Sequence, residues 1–319
     1  MNAKSDSERK IDMHAHYLPP GYADELRKAG LTHPDGMPDY PEWNPQLALR
    51  TYDKFGIEKG ILSISSPGVY YGDDAAARLL ARKVNEAGAE LVIKYQGRFG
   101  LFAALPMPDI DGSMQEIAYA LDVLHADGIG LKTNVHGIYL GDPRFDPILQ
   151  ELDRRKAVVF IHPTSPSCWQ QCALGYPRPL LEFPFDSARA ITGFIFSGAL
   201  ERYPDLRIIV SHNGGVIPFL ADRISKLDHL LKLSQPGARD VISSMRRLYY
   251  DTAMAGSRHS LSSLLQLVDV SHILFGSDWP WYPEEQVATT NQELESSAFF
   301  TDGDRRAIYR ENALLLLSR

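Results

Sequence analysis

Two stretches decide how this chain is read: Ala157-Val158-Val159-Phe160-Ile161-His162 and Arg207-Ile208-Ile209-Val210-Ser211-His212. Each is a short, nearly continuous apolar run rich in β-branched residues, as expected of a strand buried on both faces in a parallel sheet. Each also stops on a histidine. Working outward, six further runs predict strands at Lys10–His14, Lys59–Ser65, Arg98–Leu105, Gly128–Thr133, Leu248–Thr252 and His272–Gly276. Amphipathic patterns between them predict helices at Ala75–Tyr95, Ser113–Ala126, Phe145–Arg155, Ser187–Glu201, Gly215–Leu231, Ala238–Arg247 and Ser260–Val268, with Arg305–Leu317 closing the chain. Eight alternating β and α units in 319 residues fit a (β/α)8 barrel of the TIM type. A doubly wound open sheet is the alternative architecture. The expected organisation is a polar, flexible segment over 1–10 and one barrel domain over 11–319.

Two stretches break the alternation: Tyr17–Asn44 and Pro163–Phe185, both rich in proline, glycine and aromatic residues. Each follows a predicted strand, the first and the fifth. Long loops at the C-terminal face of a barrel build its site, so both are expected to cover a pocket.

Composition narrows the function. The charge balance is 33 Lys and Arg against 40 Asp and Glu, a net −7, which argues against a nucleic-acid partner or an anionic membrane surface. No run reaches the roughly 18 apolar residues of a membrane span, and residues 1–10 carry no apolar core of a leader peptide. The two cysteines, Cys168 and Cys172, form no disulfide framework; they are expected as unlinked thiols in a reducing, cytoplasmic setting.

The candidate chemistry sits at strand ends. The first strand runs into His14-Ala15-His16, the fifth ends on His162, the sixth on His212, and the eighth leads into Gly276-Ser277-Asp278. Alternate residues of a strand share a face, so His14 and His16 point the same way. Two such imidazoles, a third histidine and a carboxylate make a metal shell with room for water or substrate. Read singly, each histidine could equally be a hydrogen-bonded structural residue. No dinucleotide, phosphate-loop or serine-nucleophile motif is present, which leaves the metal reading in front.

These motifs resemble a family. His14-x-His16, His162-Pro163, Ser211-His212-x-Gly214-Gly215, Tyr249-x-Asp251-Thr252 and Phe275-Gly276-Ser277-Asp278-Trp279-Pro280 look like the amidohydrolase superfamily. They resemble in particular its metal-dependent decarboxylase branch, the aminocarboxymuconate-semialdehyde and γ-resorcylate decarboxylases. The stretches 137–166, 174–186 and 247–253 are similar to the 6-methylsalicylate decarboxylases. The resemblance implies one divalent metal on His14, His16, His162 and Asp278, with His212 and Asp278 as catalytic groups. It also implies non-oxidative loss of CO2 from a small aromatic acid, and a homodimer or larger homo-oligomer. Histidine rather than glutamate at position 14 favours zinc over manganese on ligand softness.

Further residues are candidates for holding substrate. Lys132, on the fourth strand, is expected to point into the barrel, where it could bind a carboxylate or, carbamylated, bridge two metals; pairing with a buried acid is the structural alternative. Arg189 and Arg223 could grip an oxyanion or form helix salt bridges. Tyr17, Phe185 and Trp279 could stack on a ring or simply pack. The same ligand set also suits a hydrolase of a lactone, ester or amide, and a non-catalytic barrel would need no metal.

Overall fold

A computed structural model describes residues 9–235 and 237–318. Most of the expected flexible segment 1–10 lies outside the described residues. Eight parallel strands form one sheet in chain order: β1 Lys10–His16, β2 Ile57–Ser63, β3 Phe99–Ala104, β4 Gly128–Lys132, β5 Val158–His162, β6 Arg207–Val210, β7 Tyr249–Asp251 and β8 Ile273–Leu274. The two ends of this sheet meet. Met13 N–H donates to Phe275 O at 2.9 Å, Asp278 N–H to His14 O at 2.8 Å and His16 N–H to Trp279 O at 2.8 Å. These bonds exclude the open sheet and give the expected (β/α)8 barrel.

Strand alternation divides the core in two. Val159 and Ile161 of β5 face the helices, while Val158 and Phe160 join Ile11, Met13, Phe102, Ile209 and Leu274 inside the barrel. Ala313 and Leu316 of the last helix close that interior from below. Phe102 and Phe160 stack at 5.6 Å, and His14 rests edge-on against Phe160 at 4.9 Å. The aromatic pair is therefore the floor of the site.

β1 carries a device the sequence pattern conceals. Its register against β2 runs Asp12 with Gly60 and then Ala15 with Leu62, which leaves one residue over. This β-bulge changes the phase of the strand. Ile11 and Met13 face the barrel interior below it, and His14 and His16 face inward above it. Asp12 anchors the bulge, accepting from His14 N–H and Ser277 N–H, each at 3.0 Å.

Two longer helices lie outside the expected set, at Pro45–Phe55 and Glu284–Ser296, and two short ones, Tyr22–Lys28 and Trp169–Cys172, form within the expected loops Tyr17–Asn44 and Pro163–Phe185. The first is well signalled: Asn44 caps it by accepting from Leu47 N–H at 2.8 Å, Pro45 opens it and Gly56 ends it at φ 72°. Glu182–Phe196 also begins inside the expected loop Pro163–Phe185, because Pro184 costs little in a first turn. Gly198, at φ 74°, ends that run before a short helix at Ala199–Arg202.

Candidate metal centre and active site

One ligand atom from each of His14, His16, His162 and Asp278 lies within 4.8 Å of the others, and all four residues are buried. The strands explain the gathering. β1 supplies two histidines above its bulge, β5 supplies its last residue, and the turn after β8 supplies the acid. Asp278 adopts φ 57°, a left-handed conformation uncommon outside glycine. Gly276 makes the approach possible, since a Cβ there would lie 2.8 Å from His14 Cβ and 3.0 Å from Asp251 Cβ.

The hydrogen bonds fix which ring nitrogens are left over. His14 Nδ1–H donates to Asp251 Oδ2 at 2.9 Å, His16 Nδ1–H to Ser63 O at 3.1 Å and His162 Nδ1–H to Pro163 O at 2.8 Å. Each imidazole then presents its Nε2 lone pair. His14 Nε2 and His16 Nε2 stand 3.1 Å apart, and they lie 3.3 and 3.1 Å from Asp278 Oδ1. That carboxylate oxygen is buried and accepts no hydrogen bond. Acceptors facing acceptors in a buried site require a cation between them, so the donor set fits a divalent metal.

The charges agree. Burial opposes a proton on His14, but the carboxylates of Asp251 and Asp278 outweigh it and push the imidazolium up to about 10. Burial lowers His16 to about 4. Burial also disfavours the Asp278 carboxylate, yet His14 and the neighbouring imidazoles hold it well below the usual range. His212 Nε2 stands 3.3 Å from Asp278 Oδ2. Its backbone is left-handed at φ 54°, with its N–H donating to Asp251 Oδ1 at 3.0 Å. Asp251 thus positions both His14 and His212.

Beside the cluster, on the β2 to β5 side, opens a cavity of about 580 Å³. Its walls are mostly apolar, with Ile64, Val69, Phe102, Leu105 and Met107 among them; Lys132, Asn134, His136 and Arg178 supply polar groups. Lys132 stands between cavity and cluster. It is the register partner of His162, and its charge lowers the proton affinity of His16 and His162. Its Nζ donates to Ile64 O at 2.5 Å, and burial pushes its own ammonium down to about 7.

The remaining sequence candidates fall elsewhere. Tyr17 is 1% exposed; its hydroxyl donates to Val84 O at 2.7 Å and its ring packs on Trp43, so it belongs to the wall between barrel and helices. Trp279 is likewise buried, edge-on to Tyr52. Phe185 is 45% exposed, outside the cavity lining. Arg189 lies on the surface, 3.9 Å from Asp186, and Arg223 lies on the exposed face of the helix Ile217–Leu231. Cys168 and Cys172 are free and exposed. Sequence reasoning gave no role to Asp251, although its Tyr-x-Asp-Thr setting was in view. It passed over Arg178 because loop residues follow no period.

A closed parallel barrel with three imidazoles and a carboxylate converging at its C-terminal mouth is the architecture of a metal-dependent barrel enzyme. The chain belongs to the amidohydrolase family, whose model matches residues 11–319. It is 34% identical over 324 residues to the decarboxylase yanB of Aspergillus niger, across 97% of this chain and 88% of that protein. It is 35% identical over 322 residues to the 6-methylsalicylic acid decarboxylase acuB of Aspergillus aculeatus, across 97% and 96%. A crystal structure of a protein described as amidohydrolase II matches with a TM-score of 0.91 at 33% identity, covering 97% of this chain and 100% of the other. Among the described residues no helix is long and apolar enough to cross a membrane.

Proposed function

We propose that this chain is a metal-dependent carboxy-lyase that removes CO2 from an ortho-hydroxylated aromatic acid of the 6-methylsalicylate class, leaving a phenol. The observation that carries this reading is the convergence of buried ligand atoms from His14, His16, His162 and Asp278, with Asp278 Oδ1 accepting no hydrogen bond, beside a largely apolar cavity. The kinship with decarboxylases supports it. Zinc is the proposed metal, on the softness of three imidazoles. The enzyme is proposed to act as a cytoplasmic homodimer or larger homo-oligomer built from one catalytic domain over 11–319; apolar side chains left exposed on Ile217–Leu231, Phe219 and Leu230 among them, support self-association.

Direct loss of CO2 from an aryl carboxylate would leave a carbanion in the ring plane. An ortho hydroxyl gives a lower route. Protonation of the carbon bearing the carboxylate makes a dearomatised ketone; the C–C bond then breaks, CO2 leaves and its electron pair restores the ring. When bound, a divalent ion supplies Lewis-acid pull on the phenolic and carboxylate oxygens. Asp278 is held as a carboxylate, so it takes the phenolic proton and delivers it to the ring carbon. His212, against Asp278 Oδ2, steadies that carboxylate and relays protons. Lys132 holds the anionic substrate at the cavity mouth. The apolar walls keep water from the ring.

The test is CO2 release from a panel of 6-methylsalicylate, salicylate, 2,3- and 2,6-dihydroxybenzoate and benzoate, with and without chelator. Turnover of only the ortho-hydroxylated acids, abolished by chelator, is expected. No CO2 from metal-loaded protein would refute the reading and point to a lactone, ester or amide hydrolase.

A further inference from the structure

The cavity is larger than a small ring demands. A cavity of ~150 Å³ suffices for benzene, and this one measures about 580 Å³. A ring with one methyl, one hydroxyl and one carboxylate leaves much of it unfilled. What lies at its far side is a second cation. Arg178 is half-buried in the lining, its guanidinium 4.1 Å over the Trp169 ring and its Nε–H donating to Ser165 Oγ at 3.1 Å. Ser165 in turn donates its hydroxyl proton to Asp35. Among the described residues no carboxylate forms an ion pair with Arg178, and its terminal nitrogens find no protein acceptor.

The guanidinium is also held in place. Gly36 sits at φ 78°, and a Cβ there would lie 2.5 Å from Arg178 Nη1, so the turn Pro34–Gly36 is shaped around it. One wall of the seat comes from the segment after β1 and the other from the segment after β5. An arginine with a planar fork, stacked on an indole and pinned by a serine, is preorganised for a carboxylate, and an unpaired, partly desolvated cation favours an anion. Burial lowers its proton affinity, as it does for Lys132. The two cations differ in their neighbours. Both lie in the field of Asp35, but only Lys132 has its charge felt by His16 and His162, whereas the further neighbour of Arg178 is Glu182, with which it forms no direct ion pair. The order is therefore metal cluster, Lys132, Arg178.

We propose that Arg178 is a specificity-determining residue that binds a second carboxylate of the substrate, remote from the one that leaves. Within the ortho-hydroxylated aromatic acids proposed above, the preferred substrate is then one that carries a second carboxylate. The identity of the departing carboxylate rests on the decarboxylase reading; the binding of a dicarboxylate does not.

The experiment measures kcat/KM on metal-loaded enzyme for salicylate and for 4- and 5-carboxysalicylate, with wild type, Arg178→Gln and Arg178→Lys. A charged hydrogen bond of this kind is worth roughly 10- to 100-fold. Wild type is expected to prefer one dicarboxylate by about that factor. Arg178→Gln is expected to erase the preference, through KM, and Arg178→Lys to restore part of it. An unchanged dicarboxylate-to-monocarboxylate ratio in Arg178→Gln overturns the proposal, whether because wild type shows no preference or because both substrates lose alike. Calorimetric binding of isophthalate and terephthalate against benzoate, none of which has the ortho hydroxyl, separates the two readings. Tighter, Arg178-dependent binding of a dicarboxylate sustains the proposal even if no CO2 is ever released. Equal binding of all three acids by wild type and Arg178→Gln sinks it.

Discussion

Lys132 offers the sharpest test, because its charge should govern activity and stability in opposite directions. In the folded chain its ammonium is pushed from 10.5 down to about 7 by burial, a penalty of roughly 5 kcal/mol for keeping the charge at that site. The cation that grips substrate is therefore present below pH 7 and lost above it. The protonated fraction falls about 50-fold between pH 7 and 9, and kcat/KM for an anionic substrate should fall with it. Lys132→Arg keeps its charge throughout and should flatten that limb; Lys132→Met should be lower by roughly 10- to 100-fold at pH 6 and equally flat. Stability moves the other way. An unfolded lysine stays protonated until about 10.5, so above pH 7 the unfolded chain binds more protons and the fold gains with rising pH. That gain is roughly 2 kcal/mol between pH 7 and 9, and Lys132→Met should lack it. Initial-rate pH profiles and urea titrations at each pH read both effects. An identical break near pH 7 in Lys132→Arg, together with a constant stability gap to Lys132→Met, would refute this account and favour a carbamylated or ion-paired lysine.

Other expectations follow from single contacts. Asp278→Asn should reduce CO2 release by roughly 10²- to 10⁴-fold, because it removes both a ligand and the proton carrier, and metal analysis of the purified variant separates the two losses. Asp251→Asn should weaken the metal about 10- to 100-fold in chelator competition, since Asp251 fixes the His14 ring at 2.9 Å. Chelation should abolish turnover and lower Tm, because three imidazoles and a carboxylate are left facing one another in a buried site; an unchanged Tm would count against a bound ion. Tyr17→Phe should cost about 1 kcal/mol, from the lost bond to Val84 O, while leaving KM untouched.

The barrel was legible because its signal is local and repeated. Val158–His162 and Arg207–Val210 are continuous apolar runs, and only a sheet covered on both sides buries both faces of such a run. Boundaries were legible only where a cap marks them. Asn44, Pro45 and Gly56 bracket a helix that hydrophobic periodicity alone passed over. β8 is reduced to Ile273–Leu274, because beyond it the backbone turns to deliver Asp278. The bulge in β1 was beyond reach for another reason. An extra residue shows only against its partner strand, and the sequence of β1 does not contain β2.

The site divides along the same line. Residues carried on strands have positions set by the pleat, so the end of an apolar run fixes where a side chain emerges; His14, His16 and His162 could be proposed together for that reason. Residues carried on loops have positions set by what the loop packs against. Tyr17 follows its strand by one residue and Trp279 by five, yet both turned outward, since a large ring gains more from the helix-facing core than from a wet cavity mouth. Arg178 is the converse. It lies in a segment with no period, and it reaches the cavity only because Trp169, Ser165 and Gly36 make a seat for it. Chemistry held by strands can vary little without losing the metal, whereas a seat made of two loops can be rebuilt one residue at a time. The ring substituents are thus read by the part of the molecule that sequence patterns describe least.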